Sequence, residues 1–143
     1  MMDMDGAIVE VINGDPTIYM TLHSTNLHLN PPKNPYQLQN VDLSQDILIA
    51  GFEWNLHDEQ IDLTWWFTWF DYDTNSWKSD HTTRILTKFL NGDDYYDIYD
   101  SFNGEGFSLL INLAEGGNWP SNNVFVDNKP QYMNIKSVKV YCF

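Results

Sequence analysis

Three places in the sequence carry residue types that could do chemistry. Glu10 stands between Val9 and Val11, a carboxyl set inside an apolar run, where a cleft position suits a general acid or base. Asn112 interrupts the apolar alternation from Phe107 to Ala114, and an amide there needs partners or a wet cleft. Gly116 and Gly117 allow close backbone approach, so Trp119 just after them is displayed rather than packed. A displayed indole can stack on the apolar face of a sugar ring, and Trp77 and Trp66 are the other candidates for that role. The aromatic content of 15%, with 6 Trp, 8 Tyr and 8 Phe, exceeds what a core of this size needs.

The charge balance narrows the partners. Twenty acidic residues against 7 basic ones leave a formal net charge of −13. That disfavours nucleic acid and anionic membrane surfaces, both of which require a basic face. Charged residues make up only 19% and hydrophobic ones 43%, so the chain is no acidic disordered tail. Cys142 is the single cysteine and cannot form an internal disulfide. His28, His57 and His81 fit no metal spacing. The stretch Asp93 to Asp100 lacks the residue order of a calcium loop, so no metal and no cofactor are expected. No apolar run reaches membrane-spanning length, and the acidic start MMDMDGAIVEV lacks the features of a signal peptide.

The elements that would hold these residues read as strands. Runs of period two recur at Ala7 to Ile12, Thr17 to His23, Ile47 to Trp54, Gln60 to Phe70, Thr82 to Phe89, Phe107 to Ala114 and Met133 to Tyr141. Asn13-Gly14-Asp15-Pro16 is a turn signal between the first two. Ser24 to Gln45 reads as a long loop, and Asn91 to Gly106 as an acidic, Tyr-rich one. Ile61, Leu63, Trp65, Phe67 and Trp69 share one face of the fourth run, with Trp66 on the other, and at least two of the three tryptophans are expected in the core. Seven strands without a helix predict an all-β fold, a jelly-roll-type antiparallel β-sandwich, complete or partial, in a single domain over 1–143.

Several blocks occur together in order. Asp5-Gly6-Ala7-Ile8-Val9-Glu10 is followed by Thr21-Leu22-His23, then Phe52-Glu53-Trp54 and the run Ile61 to Trp66. Asn112-Leu113-Ala114-Glu115-Gly116-Gly117-Asn118-Trp119-Pro120 and Val138-Lys139-Val140-Tyr141 complete the series. In that order they resemble glycoside hydrolase family 16, especially its laminarinase-like endo-β-1,3-glucanases, from the catalytic strand to the C-terminus. The front part of that family's domain has no counterpart here, and the unpaired strand edges this would leave predict self-association.

The resemblance implies a β-glucan as the polysaccharide partner, cut at β-1,3 or mixed-linkage bonds by a retaining mechanism. It places the acid/base role at Glu10 and the nucleophile at Asp5, where the family pattern E-x-D-x-x-E has its last and first Glu. It places His23, Asn112, Asn118 and Trp119 along the substrate cleft, and it implies an extracellular setting. Ala7 stands where the pattern has its Asp, and Asp5 is one methylene shorter than the Glu it replaces. Weak or lost hydrolysis is therefore expected, and the alternatives are a non-catalytic β-glucan-binding module or a truncated remnant of such an enzyme. Residues five apart on a regular strand point to opposite faces, so Asp5 and Glu10 can share a face only if the strand carries a bulge.

Overall fold

The computed structural model describes residues 5–12, 15–24, 27–43, 46–103, 108, 110–111 and 132–141, with the backbone alone described at 5–7, 24 and 27. Backbone proximity divides the chain into a unit Met1–Gly106 and a unit Phe107–Phe143. The first unit is an all-β antiparallel sandwich of two sheets.

One sheet holds β1 (Asp5–Val11), β2 (Thr17–Ser24), β3 (Leu27–Leu29) and β4 (Tyr36–Gln37). β2 is its centre: β1 pairs one edge, and β3 and β4 pair the other at Leu22–Ser24 and at Thr17–Ile18. Between β3 and β4 the side chain of Asn34 stands in for a strand. Its Nδ2 donates to the Met20 carbonyl at 3.0 Å, and its Oδ1 lies 3.5 Å from the Met20 amide. A buried backbone group left without a partner costs about as much as a lost hydrogen bond, so this amide holds the middle of β2 in place.

The second sheet is a meander of β5 (Leu48–Leu56), β6 (Gln60–Asp71) and β7 (Ser76–Thr87). The β6–β7 ladder runs without a register break from Gln60↔Thr87 to Asp71↔Ser76. Its hairpin is closed by the Asp71 carboxylate, which accepts from the amides of Asp73 and Thr74 at 2.9 and 3.1 Å. Those bonds hold the Asp71 carboxyl below the usual range, the Thr74 amide first among them.

Alternation along the central strands β2 and β6 builds the core. Ile18, Met20 and Leu22 from β2 meet Ile61, Leu63, Trp65, Phe67 and Trp69 from β6, with Leu29, Tyr36, Leu38 and Leu86 around them. Trp65 is fully buried and Trp69 nearly so, as the alternation predicts, while Trp66 faces out. Tyr36 ties the sheets together: its ring lies 5.2 Å from that of Phe67, and its hydroxyl donates to Asp80 on β7.

The acidic stretch expected as a loop is a helix. After the short turn α1 (Lys88–Asn91), α2 runs over Asp93–Asn103. Tyr95, Ile98, Tyr99 and Phe102 recur at helical spacing, and Asp93 and Asp94 complement the positive helix N-terminus. Tyr95 and Ile98 are buried in the shared core, and Phe102 stacks on Trp54 at 4.8 Å. The Tyr95 hydroxyl reaches the carbonyls of His57 and Asp58, closing α2 onto the β5–β6 turn. The helical stripe outweighs the Tyr and Asp content that suggested a loop.

Two further expectations shift. The stretch Ser24 to Gln45 is not wholly a loop, since it contributes β3 and β4. The fifth strand starts at Ser76 rather than Thr82 and stops at Thr87, where the Thr87 hydroxyl accepts from the Leu90 amide and starts α1. In the second unit, residues 132–141 carry neither helix nor strand, although Met133 to Tyr141 alternates in sequence. Alternation alone makes no strand; a ladder partner must satisfy the backbone.

Candidate functional site

The face of β1 and β2 turned away from the core holds Glu10 and, by backbone register, the Asp5 position. Ile18, Met20 and Leu22 point into the core, so Thr17, Tyr19, Thr21 and His23 occupy the outer face. The ladder pairs Asp5 with His23, Ala7 with Thr21 and Glu10 with Tyr19. Between Ala7 and Glu10 the register slips, so that Ile8 and Val9 together oppose Met20. This is a β-bulge, and it brings Glu10 to the same face as the Ala7 and Asp5 positions despite the odd spacing. The bulge that the spacing requires is therefore present in the strand.

Asp5 and Glu10 pair with residues four apart on β2, which separates their backbones by about 13 Å along the strand. Two side chains leaning inward from that distance must converge to about 5–5.5 Å to flank one glycosidic bond in a retaining enzyme. An Asp at the first position shortens that reach by one methylene. Ala7 occupies the register position midway between them and supplies no carboxyl. Glu10 is exposed, open to a substrate on this face.

His23 does not stand alone. It pairs across the ladder with His28 of β3, their rings T-shaped with centroids 4.7 Å apart. Their Nδ1 atoms lie 2.7 Å apart, so one donates and the other accepts. While that bond stands, the ring that accepts at Nδ1 keeps its Nε2 free to face outward as a donor. The pair is thereby fixed beside the Asp5 register position. Next along the face, the Thr21 hydroxyl bonds Asn30 Oδ1 at 3.0 Å. His28, Asn30 and Thr21 were not legible as site residues. Thr21 could have been found from the alternation of β2, whereas His28 and Asn30 arrive through a pairing inside a stretch that reads as loop.

Asn112, Asn118 and Trp119 lie outside the described residues, as does the side chain of Asp5. Among the described residues no group of three or more His, Cys, Asp and Glu is arranged to hold a metal ion. No helix among them is long and apolar enough to cross a membrane. No family model, no curated protein and no solved structure matches the chain.

Proposed function

We propose that this chain is a glycoside-hydrolase-like protein that engages a β-glucan on the outer face of β1 and β2. Glu10 acts there as acid/base and Asp5 as a weak nucleophile. The observation that carries this reading is the bulge between Ala7 and Glu10, which brings Glu10 into line with the register positions of Asp5 and Ala7 opposite His23 and Thr21. A regular strand would have turned Glu10 to the opposite side from Asp5 and left no pair to work on one bond.

In the retaining sequence, one carboxylate attacks the anomeric carbon while the other, as the acid, protonates the leaving oxygen. The second group then takes a proton from the water that releases the sugar. Glu10 has the length for that proton transfer and an open face to work on. Asp5 would widen the carboxyl gap by about 1 Å, and misplacement of that size costs on the order of a hundredfold in rate. The Ala7 position removes a charge that would tune the nucleophile. The same two residues favour a second reading, a glucan-binding module that does not cut.

Reducing-sugar release from laminarin separates the two. The chain as it stands is expected to release little or none. Asp5→Glu with Ala7→Asp should raise release at least tenfold, and Glu10→Gln in that background should abolish the gain. Full activity in the original chain, or a gain that survives Glu10→Gln, would overturn the assignment of roles.

A further inference from the structure

The outer face of the β5–β6–β7 sheet carries a second, independent arrangement. Its cross-strand rows can be read from the ladder. Phe70 pairs with Trp77; then Ile49, Thr68 and Ser79 align; then Gly51, Trp66 and His81; then Glu53, Thr64 and Thr83. Aromatic rows alternate with hydroxyl rows. The hydroxyls are joined in pairs, Thr68 to Ser79 at 2.8 Å and Thr64 to Thr83 at 3.0 Å. Phe70 and Trp77 meet edge to face at 5.6 Å.

Gly51 explains how Trp66 lies. A Cβ built on Gly51 would stand 2.1 Å from Trp66 Cζ2 and 2.7 Å from its Nε1. The indole is therefore laid flat across the strand over a residue that has no side chain. Trp66 remains 37% exposed and Trp77 53%, against 0% for Trp65 one residue away on the core side. The two aromatic rows are four residues apart on β6, about 13 Å, a span longer than one sugar ring. Glu53 and Asp62 are the charged residues that β5 and β6 set on this face, and β7 adds no Lys or Arg to it.

We propose that this face is a binding platform for a neutral, extended polysaccharide of equatorially substituted pyranoses, with Trp66 as its central stacking surface and Trp77 as the second. An indole held flat offers its π-face to the axial C–H groups of such a ring. The flanking hydroxyl pairs and His81 meet the equatorial hydroxyls at the ring's edge. Sites of this kind take orientation from a few placed polar groups beside an aromatic surface. Two aromatic rows with hydroxyls between them suit a chain running along β6. The carboxylates, and the absence of Lys and Arg on this face among the described residues, oppose an anionic polymer. Nothing in the platform requires hydrolysis at Asp5 and Glu10.

Laminarin titrated into the whole chain, followed by tryptophan fluorescence and calorimetry, tests the platform, with alginate as the anionic control. Trp66→Ala is expected to weaken laminarin binding about tenfold. Gly51→Ala should weaken it as well, although it removes no atom a sugar would touch, because the new methyl displaces the indole. Thr68→Arg blocks the adjacent row while leaving the indole, and decides the matter if Trp66→Ala does not fold. The proposal is overturned if the folded variants bind laminarin like the original chain, if the original chain binds none, or if alginate binds as tightly. Reducing-sugar release from the Asp5→Glu, Ala7→Asp background keeps the two sites apart. Laminarin binding unchanged in the Trp66→Ala and Thr68→Arg variants, with release intact, sinks this proposal alone. Loss of release with platform binding intact sinks the Glu10 reading alone.

Discussion

The two sheets bury the same kind of alternating apolar residue, yet they are held by different means. β6 and β7 pair over twelve residues each without interruption, and every second side chain on β6 goes into the core. Among the described residues β1, β3 and β4 are laddered to β2; β1 pairs with it from Asp5 to Val11, whereas β3 and β4 meet it only at Leu22–Ser24 and Thr17–Ile18. Its register changes at a bulge on one edge, and a side-chain amide replaces a strand on the other. The regular sheet is specified by its own periodicity. The irregular sheet is specified by a few polar contacts, and it is the one that carries the candidate acids. Bulges commonly re-aim side chains beside functional sites, and here the bulge turns Glu10 to the face of His23. The regular sheet offers a flat outer surface instead, suited to binding rather than bond breaking.

The strongest challenge to this comparison is to ask whether the sheets share one core. Phe67 is fully buried and its ring packs on Tyr36 of the other sheet. Phe67→Ala is expected to cost about 3–5 kcal/mol and to shift a single cooperative urea transition. Two separate transitions, one for each sheet, would break the comparison at its base.

A smaller effect tests the polar support of β2. Asn34→Ala leaves the Met20 carbonyl without its partner and should cost about 1–3 kcal/mol. Amide exchange should speed up at Thr17 to His23 more than at Ile61 to Trp69. Equal acceleration in both sheets would show that Asn34 does not act locally.

The smallest effect sharpens the contact between sheets. The Tyr36 hydroxyl is the first cause holding the Asp80 carboxyl below its ordinary value, with the His81 amide and Lys33 adding to it against the cost of burial. Burial and Asp80 push the Tyr36 phenol well above its usual range, so it stays a donor. A carboxyl lowered in the folded state binds its proton less readily there than in the unfolded chain. It therefore contributes stability that is present above the unfolded value of about 4 and lost as pH falls through the lowered folded value. Asp80 is 41% exposed, which keeps the contribution small. Tyr36→Phe is expected to cost about 0.5–1 kcal/mol at pH 7, and the gap between it and the original chain should narrow by pH 3. Urea midpoints measured across that range provide the test, and a gap independent of pH would remove Asp80 from the account.

The regular sheet was the more legible of the two in the residues themselves. Ile61, Leu63, Trp65, Phe67 and Trp69 announce a strand and its buried face, because period two coincides with the alternation of side chains in a pleated strand. The helix α2 was written in the spacing of Tyr95, Ile98, Tyr99 and Phe102, but its Asp and Tyr content hid the stripe. β3 and β4 had no such signal: two or three residues set no period, and they exist because β2 has an edge to fill.

For the candidate site the division is similar. The residue types, the spacing of Asp5 and Glu10, and the missing carboxyl at Ala7 are matters of sequence, and so is the requirement that a bulge lie between the two acids. That the bulge falls opposite Met20, that His28 comes to hydrogen-bond His23, and that Gly51 lies beneath Trp66 were decided by tertiary pairing. The reason is physical. Alternation tells which side of its own strand a residue takes, whereas strand register tells which residue of another strand it meets. Register depends on hydrogen bonds that neither strand can satisfy alone.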